Sequence, residues 1–132
     1  KRQVMSYFSN VMIAVTKKDF EKIENEQKKI PYNILLEDIE VENYKENNIE
    51  CVFTHFGYIQ YKKEFEEVQL LEKSLNELKD GYVFCRLGEE TMDIEFKKRT
   101  KLPELMTKFE FIKDLSKNLN KELKKEEEEE FE

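Results

Sequence analysis

The sequence predicts an α+β fold of the ferredoxin-like, split βαβ type, in which an antiparallel sheet carries its helices on one face. Three observations predict this class. Segments with apolar residues at every second position alternate with segments at helical spacing, in the order β-α-β-β-α-β. Three glycines and two prolines among 132 residues leave room only for short connections. Ten phenylalanines and six tyrosines supply a hydrophobic core for one domain. A short strand and a C-terminal helix follow these six elements.

A strand and a helix open the chain. Tyr7–Val15 is rich in β-branched and aromatic residues with apolar side chains at period 2, which predicts a central strand. Thr16 and Asp19 then have the spacing of a capping box, with Asp in place of the usual Glu or Gln. We therefore expect a helix over Lys17–Lys29 that ends before Pro31, because proline disfavours helical backbone in the preceding residue.

A hairpin is predicted next. Ile34–Glu42 begins apolar and then alternates between apolar and acidic residues, which is typical of a half-buried strand with an acidic outer face. Asn43–Asn48 is a predicted polar turn, and Ile49–Tyr61 is the returning strand, in which Gly57 indicates a bulge. We interpret the acidic outer face as solvated, and a metal or partner site is the alternative.

The second helix has the clearest apolar stripe in the chain. It covers Glu64–Lys79, with apolar residues three and four apart, and it ends at Gly81. Tyr82–Leu87 is a predicted strand that ends at Gly88. Apolar and acidic residues alternate again over residues 92–96, which predicts a short further strand.

The C-terminal part is predicted to be helical and then acidic. Leu102 and Pro103 mark the start of the last helix. We expect this helix to fray at Glu126–Glu130, because five consecutive carboxylates repel one another at the negative end of the helix dipole. The chain is thus divided into one α+β domain, residues 1–123, and an acidic tail, residues 124–132. The predicted core consists of Val11, Ile13, Phe20, Ile23, Phe53, Val68, Leu71, Leu75, Phe84, Phe109 and Ile112.

Charge and cysteine usage restrict the classes of function. Seven Glu and three Lys give Lys121–Glu132 a charge of −4 out of the net −7. One basic cluster, Lys97–Lys101 on a predicted loop, is too small to predict sequence-independent binding of nucleic acid. No apolar run reaches the roughly 20 residues of a membrane span. Cys51 and Cys85 lie in predicted strands without metal-ligand spacing, so we expect two reduced thiols in a cytoplasmic protein.

The candidate site follows the strand Tyr82–Leu87. Four acidic residues lie after the strand end, and one arginine lies within the strand: Arg86, Glu89, Glu90, Asp93 and Glu95. We expect Arg86 to pair with one of these acids. The alternative is that the arginine and the acids together form a partner-binding edge. Carboxylates near a turn can also bind a hard cation, but the spacing of an EF-hand is absent, and we assign no metal and no cofactor.

Two further features are interpreted as structural. His55 is the only histidine, and no serine or cysteine nucleophile can be assigned to it. The aromatic residues of Ile49–Tyr61 are of the kind that stacks on single-stranded bases. The basic residues and the aromatic motif of such sheets are absent, so we interpret these rings as core and expect no direct contact with nucleic acid.

The segment Phe56–Glu95 resembles a group of small uncharacterised proteins of bacteriophages and prophages of Gram-positive bacteria. In that group an aromatic strand leads into a helix, and the next strand ends in F-x-R-x-G-E, followed by D-I-E. The matching residues are Tyr61, Phe65, Val68, Phe84, Arg86, Gly88, Glu89, Asp93, Ile94 and Glu95. The group often carries a second aromatic residue where this chain has Lys62. The resemblance implies a mobile-element origin and no particular activity.

Small size, acidity and the absence of a catalytic constellation predict a non-catalytic binding protein of phage or mobile-element origin. Its partner would be a host protein with a basic surface, and one such role is inhibition of a host immune protein that binds nucleic acid, as anti-CRISPR proteins do. One alternative is a metal-dependent enzyme that uses the acidic loop and His55. The other is a homo-oligomeric structural or assembly protein. We expect a monomer or a homodimer that makes no contact with membranes.

Overall fold

The computed structural model describes residues 6–90, 92–105 and 107 of the chain. Two long helices and five strands make up most of this part, together with a 3-10 helix at Ile34–Leu36 and helical residues at 103–105. In chain order they are β1 (Ser9–Thr16), α1 (Lys17–Gln27), β2 (Glu40–Glu46), β3 (Ile49–Ile59), α2 (Glu66–Glu77), β4 (Tyr82–Leu87) and β5 (Ile94–Arg99). None of the helices in the described ranges is long and apolar enough to cross a membrane.

The five strands form one antiparallel sheet in the order β2-β3-β1-β4-β5. Each long helix connects two strands that have another strand between them. α1 leads from β1 to β2 with β3 in between, and α2 leads from β3 to β4 with β1 in between. The predicted α+β class is therefore confirmed.

The main core lies between the sheet and both helices. Strand side chains alternate between the two sheet faces, and the odd-numbered positions of β1, Val11, Ile13 and Val15, face α1 and α2. Eight residues of the predicted core are buried, and these are Val11, Ile13, Phe20, Ile23, Val68, Leu71, Leu75 and Phe84. The helix stripes predicted from periodicity are thus confirmed on both helices.

A second cluster lies on the opposite face of the sheet. It contains Met12, Ala14, Cys51, Val83 and Cys85, and Leu105 packs against them with no exposed surface. Residues 103–105 are helical, so the segment after β5 begins on the face opposite α1 and α2. The prediction that Phe53 is a buried core residue is wrong, because Phe53 is half-buried and packs against the second cluster.

Several predictions lie outside the described residues. They concern the core positions Phe109 and Ile112, most of the last helix, and the acidic tail, residues 124–132. The predicted reduced thiols fall within the described part, where both cysteines are buried and free.

The predicted strand over Ile34–Glu42 is wrong in its first half. Asn33 Oδ1 accepts a hydrogen bond from the Leu35 amide at 2.8 Å, and this cap starts a 3-10 helix that buries Leu35 completely. β2 begins only at Glu40. The predicted turn over Asn43–Asn48 is also too long, because β2 continues to Glu46.

The hairpin turn consists of two residues only. Asn47 and Asn48 both have positive φ angles, 51° and 65°. Such angles match the twist of adjacent strands, and asparagine tolerates them. The predicted bulge is confirmed, since the β1–β3 register shifts beside Gly57, whose φ is 89°.

The basic cluster does not lie on a loop. Lys97, Lys98 and Arg99 belong to β5, which pairs with β4 along its whole length. The Arg99 guanidinium donates to the carbonyls of Leu75 and Leu78 at 2.7 and 2.9 Å. Arg99 therefore adds hydrogen bonds to two carbonyl groups at the end of α2.

Candidate functional site

The guanidinium of Arg86 is the centre of the candidate site. Arg86 lies opposite Val11 and Glu95 in the sheet, on the face of α1 and α2. Its Nη2 and Nη1 donate to the two carboxylate oxygens of Asp93 at 2.7 and 3.2 Å. Its Nε donates to Glu95 at 3.1 Å, and Nη1 also donates to the Ser9 hydroxyl at 3.1 Å. The predicted pairing of Arg86 with a neighbouring acid is confirmed, and Asp93 binds it in the bidentate geometry that suits arginine.

The segment before β1 is bonded to the loop between β4 and β5, which we call the 88–93 loop. The Tyr7 hydroxyl donates to Asp93 Oδ2 at 2.5 Å and accepts from the Glu90 amide at 3.1 Å. The Phe8 amide donates to Glu89 Oε2 at 2.5 Å. Three hydrogen bonds thus hold the 88–93 loop against the start of the sheet.

Gly88 permits this arrangement because it has no side chain, and the space beside its Cα is filled by Asp93 and Tyr7. A Cβ at this position would overlap Asp93 Oδ2 and the Tyr7 hydroxyl oxygen. The loop is closed by two backbone hydrogen bonds, from Gly88 N to Asp93 O and from Asp93 N to Glu90 O. Met92 has a φ of 74° and is 70% exposed, so the loop turns sharply with this side chain outward.

The charges around Arg86 balance one another. The hydrogen bond from Arg86, followed by that from Tyr7, lowers the pKa of Asp93. Burial alone would raise the pKa of Glu95, but hydrogen bonds from Arg86 and Lys97 hold it below its ordinary value. The bond to Asp93 raises the pKa of Arg86 in turn. Two cations and two carboxylates therefore form a neutral cluster, and the negative charge of Glu89 is additional to it.

Two aromatic rings lie beside Glu89. Phe8 and Tyr58 stack with ring centroids 5.2 Å apart and an interplanar angle of 20°, and Tyr58 is 57% exposed. Desolvation and the charge of Glu89 both raise the pKa of Tyr58. We call the surface formed by Phe8, Tyr58, Glu89, Glu90 and Met92 the end patch. It lies where β1 begins and where β3 and β4 end.

The structure brings all five predicted site residues into this region, with different surroundings. Arg86, Asp93 and Glu95 are half-buried and bound to one another. Glu89 is exposed and engaged by one oxygen, and Glu90 is exposed with no ion pair to any described residue. The three half-buried residues therefore position the loop, and the two exposed carboxylates face solvent.

Sequence reasoning missed Tyr7, Phe8, Ser9 and Tyr58 as members of the region. Tyr7 and Asp93 are 86 positions apart, and Ser9 and Arg86 are 77 apart. The periodicity of the first strand was the one available signal, because it places Tyr7 on the same face as Val11.

His55 lies on the other face of the sheet from Arg86. It pairs with Met12, a member of the second cluster, and its Nε2 is 3.1 Å from Asn10 Oδ1. The sheet therefore separates His55 from Glu95. Across residues 6–90, 92–105 and 107, no group of three or more His, Cys, Asp or Glu side chains is arranged to hold a metal ion.

Comparisons with protein-family models, curated protein sequences and solved structures found no match to this chain. The function is therefore inferred from the geometry and charge of the described residues.

Proposed function

We propose that this protein is a non-catalytic binding protein that attaches to a basic surface of another protein through the end patch. One observation carries the proposal. The hydrogen bonds of Arg86, Tyr7 and Phe8 hold the loop that carries two exposed carboxylates, Glu89 and Glu90. Glu89 lies beside an exposed, stacked tyrosine, Tyr58.

Fixed position is what makes these carboxylates suitable for binding. A group that is already ordered loses little conformational freedom when a partner arrives, so more of its interaction energy appears as affinity. The 88–93 loop has β4 on one side and β5 on the other, and Tyr7 and Phe8 hold it from a third direction. The loop backbone and the Glu89 carboxylate are thus preorganised.

The end patch also has the composition of an interaction surface. Tyrosine is enriched among the residues that dominate binding energy, and its ring supplies a large rigid contact area. Arginine or lysine side chains of a partner can approach the carboxylates and the Tyr58 ring together. We assign direct contact to Glu89, Glu90 and Tyr58, and positioning to Arg86, Asp93 and Glu95.

The acidity of the whole chain supports competition for a basic partner. A net charge of −7 accelerates encounter with a positively charged surface. A host protein that binds nucleic acid presents such a surface, and a phage or mobile-element inhibitor of the anti-CRISPR kind would act by covering it. The two free, buried thiols support a cytoplasmic location.

The finer fold assignment is also part of this proposal. We assign the first six elements to the ferredoxin-like, split βαβ type. Two crossing helical connections on one sheet face and the order β2-β3-β1-β4 support it. β5 then extends the sheet beyond β4.

The test compares the wild type with an end-patch variant in capture experiments. The variant carries Tyr58→Ala, Glu89→Ala and Glu90→Ala. A matched control carries Tyr32→Ala, Glu21→Ala and Glu66→Ala, because these side chains are also exposed. Each immobilised protein is incubated with lysate of Gram-positive bacteria at moderate salt, and retained proteins are identified by mass spectrometry.

We expect the wild type and the control to retain the same basic protein and the end-patch variant to lose it. Equal melting temperatures of the three proteins exclude unfolding as the cause. Retention by all three, or by none, would contradict the proposal.

A further inference from the structure

We propose that the outer edge of β2 accepts an extended strand of a partner protein in which basic and apolar side chains alternate. This edge is separate from the end patch and does not depend on it. β2 is at one end of the strand order and, in the described part of the chain, pairs with β3 only. Edge strands present a row of backbone N–H and C=O groups, and an added strand pairs with them.

The edge is regular along its whole length. All seven residues of β2 pair with β3 without a register shift, and the two-residue turn at Asn47 and Asn48 ends the hairpin. Bulges and prolines are two of the devices that protect an edge, and β2 contains neither. Charged side chains are a third device, and β2 carries four of them, Glu40, Glu42, Lys45 and Glu46. β2 is nevertheless a preformed template for a further strand.

The side chains of β2 define the partner's sequence pattern. Glu40 and Glu42 face one side of the sheet, opposite His55 and Phe53, whereas Val41 faces the other side. All three are exposed, Val41 by 42%. Glu42 also takes part in an interaction within the chain, so the proposal uses its charge alone. An antiparallel strand would place basic residues opposite the two glutamates and an apolar residue opposite Val41.

Charge disfavours a second copy of this chain as the occupant. When two copies of β2 pair about a two-fold axis, directly opposed residues face the same side of the combined sheet. Because side chains alternate between the two faces along a strand, the numbers of two opposed residues are both even or both odd, and their sum is even. Every such register that pairs at least five residues of β2 opposes two glutamates, namely Glu42 with Glu42, Glu40 with Glu46, or Glu42 with Glu46. Like charges directly opposite each other destabilise a strand pair. A partner strand of opposite charge is therefore favoured over self-pairing.

The experiment uses a capped seven-residue peptide of alternating lysine and valine. The full-length, ¹⁵N-labelled protein is titrated with this peptide at physiological salt and followed by NMR. We expect amide shifts to concentrate on residues 40–46. Glu40→Lys should weaken binding roughly 3- to 30-fold, since it replaces an attractive cross-strand pair by a repulsive one. Glu21→Lys, at an exposed position of α1, is the matched control and should leave the affinity unchanged.

Two further peptides separate strand pairing from simple charge attraction. One is N-methylated at its valines and the other at the lysines between them. Alternate N–H groups of a strand point to the same edge, so one of these peptides should lose binding and the other should retain it.

The proposal is overturned by any of three results. These are no binding of the unmodified peptide, equal effects of the two methylated peptides, and equal effects of Glu40→Lys and Glu21→Lys. The variant Glu89→Ala/Glu90→Ala distinguishes binding at the edge of β2 from binding at the end patch. If it loses the peptide while Glu40→Lys retains it, the β2 proposal fails and the end patch is supported instead.

Discussion

Replacing Arg86 with methionine should destabilise the fold by about 2–4 kcal/mol at pH 7. Arg86 donates four hydrogen bonds, three of them to carboxylates. Removing one partner of a fully buried ion pair costs roughly 3–5 kcal/mol, because the remaining charge is left without compensation. The side chains of Arg86, Asp93 and Glu95 keep 18%, 29% and 28% of their exposure. Water can therefore hydrate the freed carboxylates in part, which lowers the expected loss by about 1 kcal/mol, to about 2–4 kcal/mol.

The pH dependence of this loss follows from the depressed pKa values of Asp93 and Glu95. Their ordinary values are 3.8 and 4.5. The stability contributed by each carboxylate is fully present above its ordinary value. It is lost as the pH falls through the lower pKa of the folded state. The difference between the wild type and Arg86→Met should therefore be largest near neutral pH and shrink below pH 4.

Urea unfolding at pH 7 and at several values down to pH 3 measures this difference directly. Lys73→Met is the control, because Lys73 is exposed on α2. A loss under about 0.5 kcal/mol at pH 7 would show that the guanidinium is not a structural centre. A loss that stays constant down to pH 3 would refute the electrostatic explanation and indicate altered packing.

Three other outcomes are expected. Leu71→Ala should destabilise the protein by about 2–5 kcal/mol in urea unfolding, because Leu71 is fully buried in the main core; a loss under about 0.5 kcal/mol would mean that the stripe of α2 is misplaced. Burial raises the pKa of the Cys85 thiol to about 12, so a thiol reagent at pH 8 should modify it only after unfolding, and fast modification of the native protein would contradict its placement. Deletion of residues 124–132 should slow association with the basic partner at low salt and have little effect at high salt, whereas Glu89→Ala/Glu90→Ala should weaken binding at both. The reverse result would move the binding site to the tail.

The sequence was sufficient where side-chain periodicity and local spacing carry the information. β4 was predicted with its observed ends because an apolar run of strand length is bounded by glycines. The pairing of Arg86 was predictable because Asp93 and Glu95 are seven and nine positions away, across one turn. Both interactions are local consequences of a β-hairpin.

The errors arose where the same residue types serve different structures. The segment that ends β2 is polar and lacks the alternation of apolar and polar residues that marks a half-buried strand. An exposed edge strand and a loop therefore have the same sequence pattern there. The partners Tyr7 and Ser9 were not predictable, because their contact with the 88–93 loop depends on β1 lying beside β4. Strand order is set by how the two helices cross the sheet, and no short sequence window contains that information.

The close fit at Gly88 also restricts the order in which substitutions can accumulate. An alanine there would overlap both Asp93 Oδ2 and the Tyr7 hydroxyl. Loss of those two oxygens, for example by Tyr7→Phe and Asp93→Ala, would have to come before Gly88→Ala for the alanine to fit without overlap, and it would remove hydrogen bonds that hold the loop. In the opposite order, the first step displaces the loop while Arg86 still requires its carboxylate. The effect of Gly88→Ala therefore depends on which substitutions precede it. The cost of this one methyl group is set by Tyr7 and Asp93, which are 81 and five positions away in the chain.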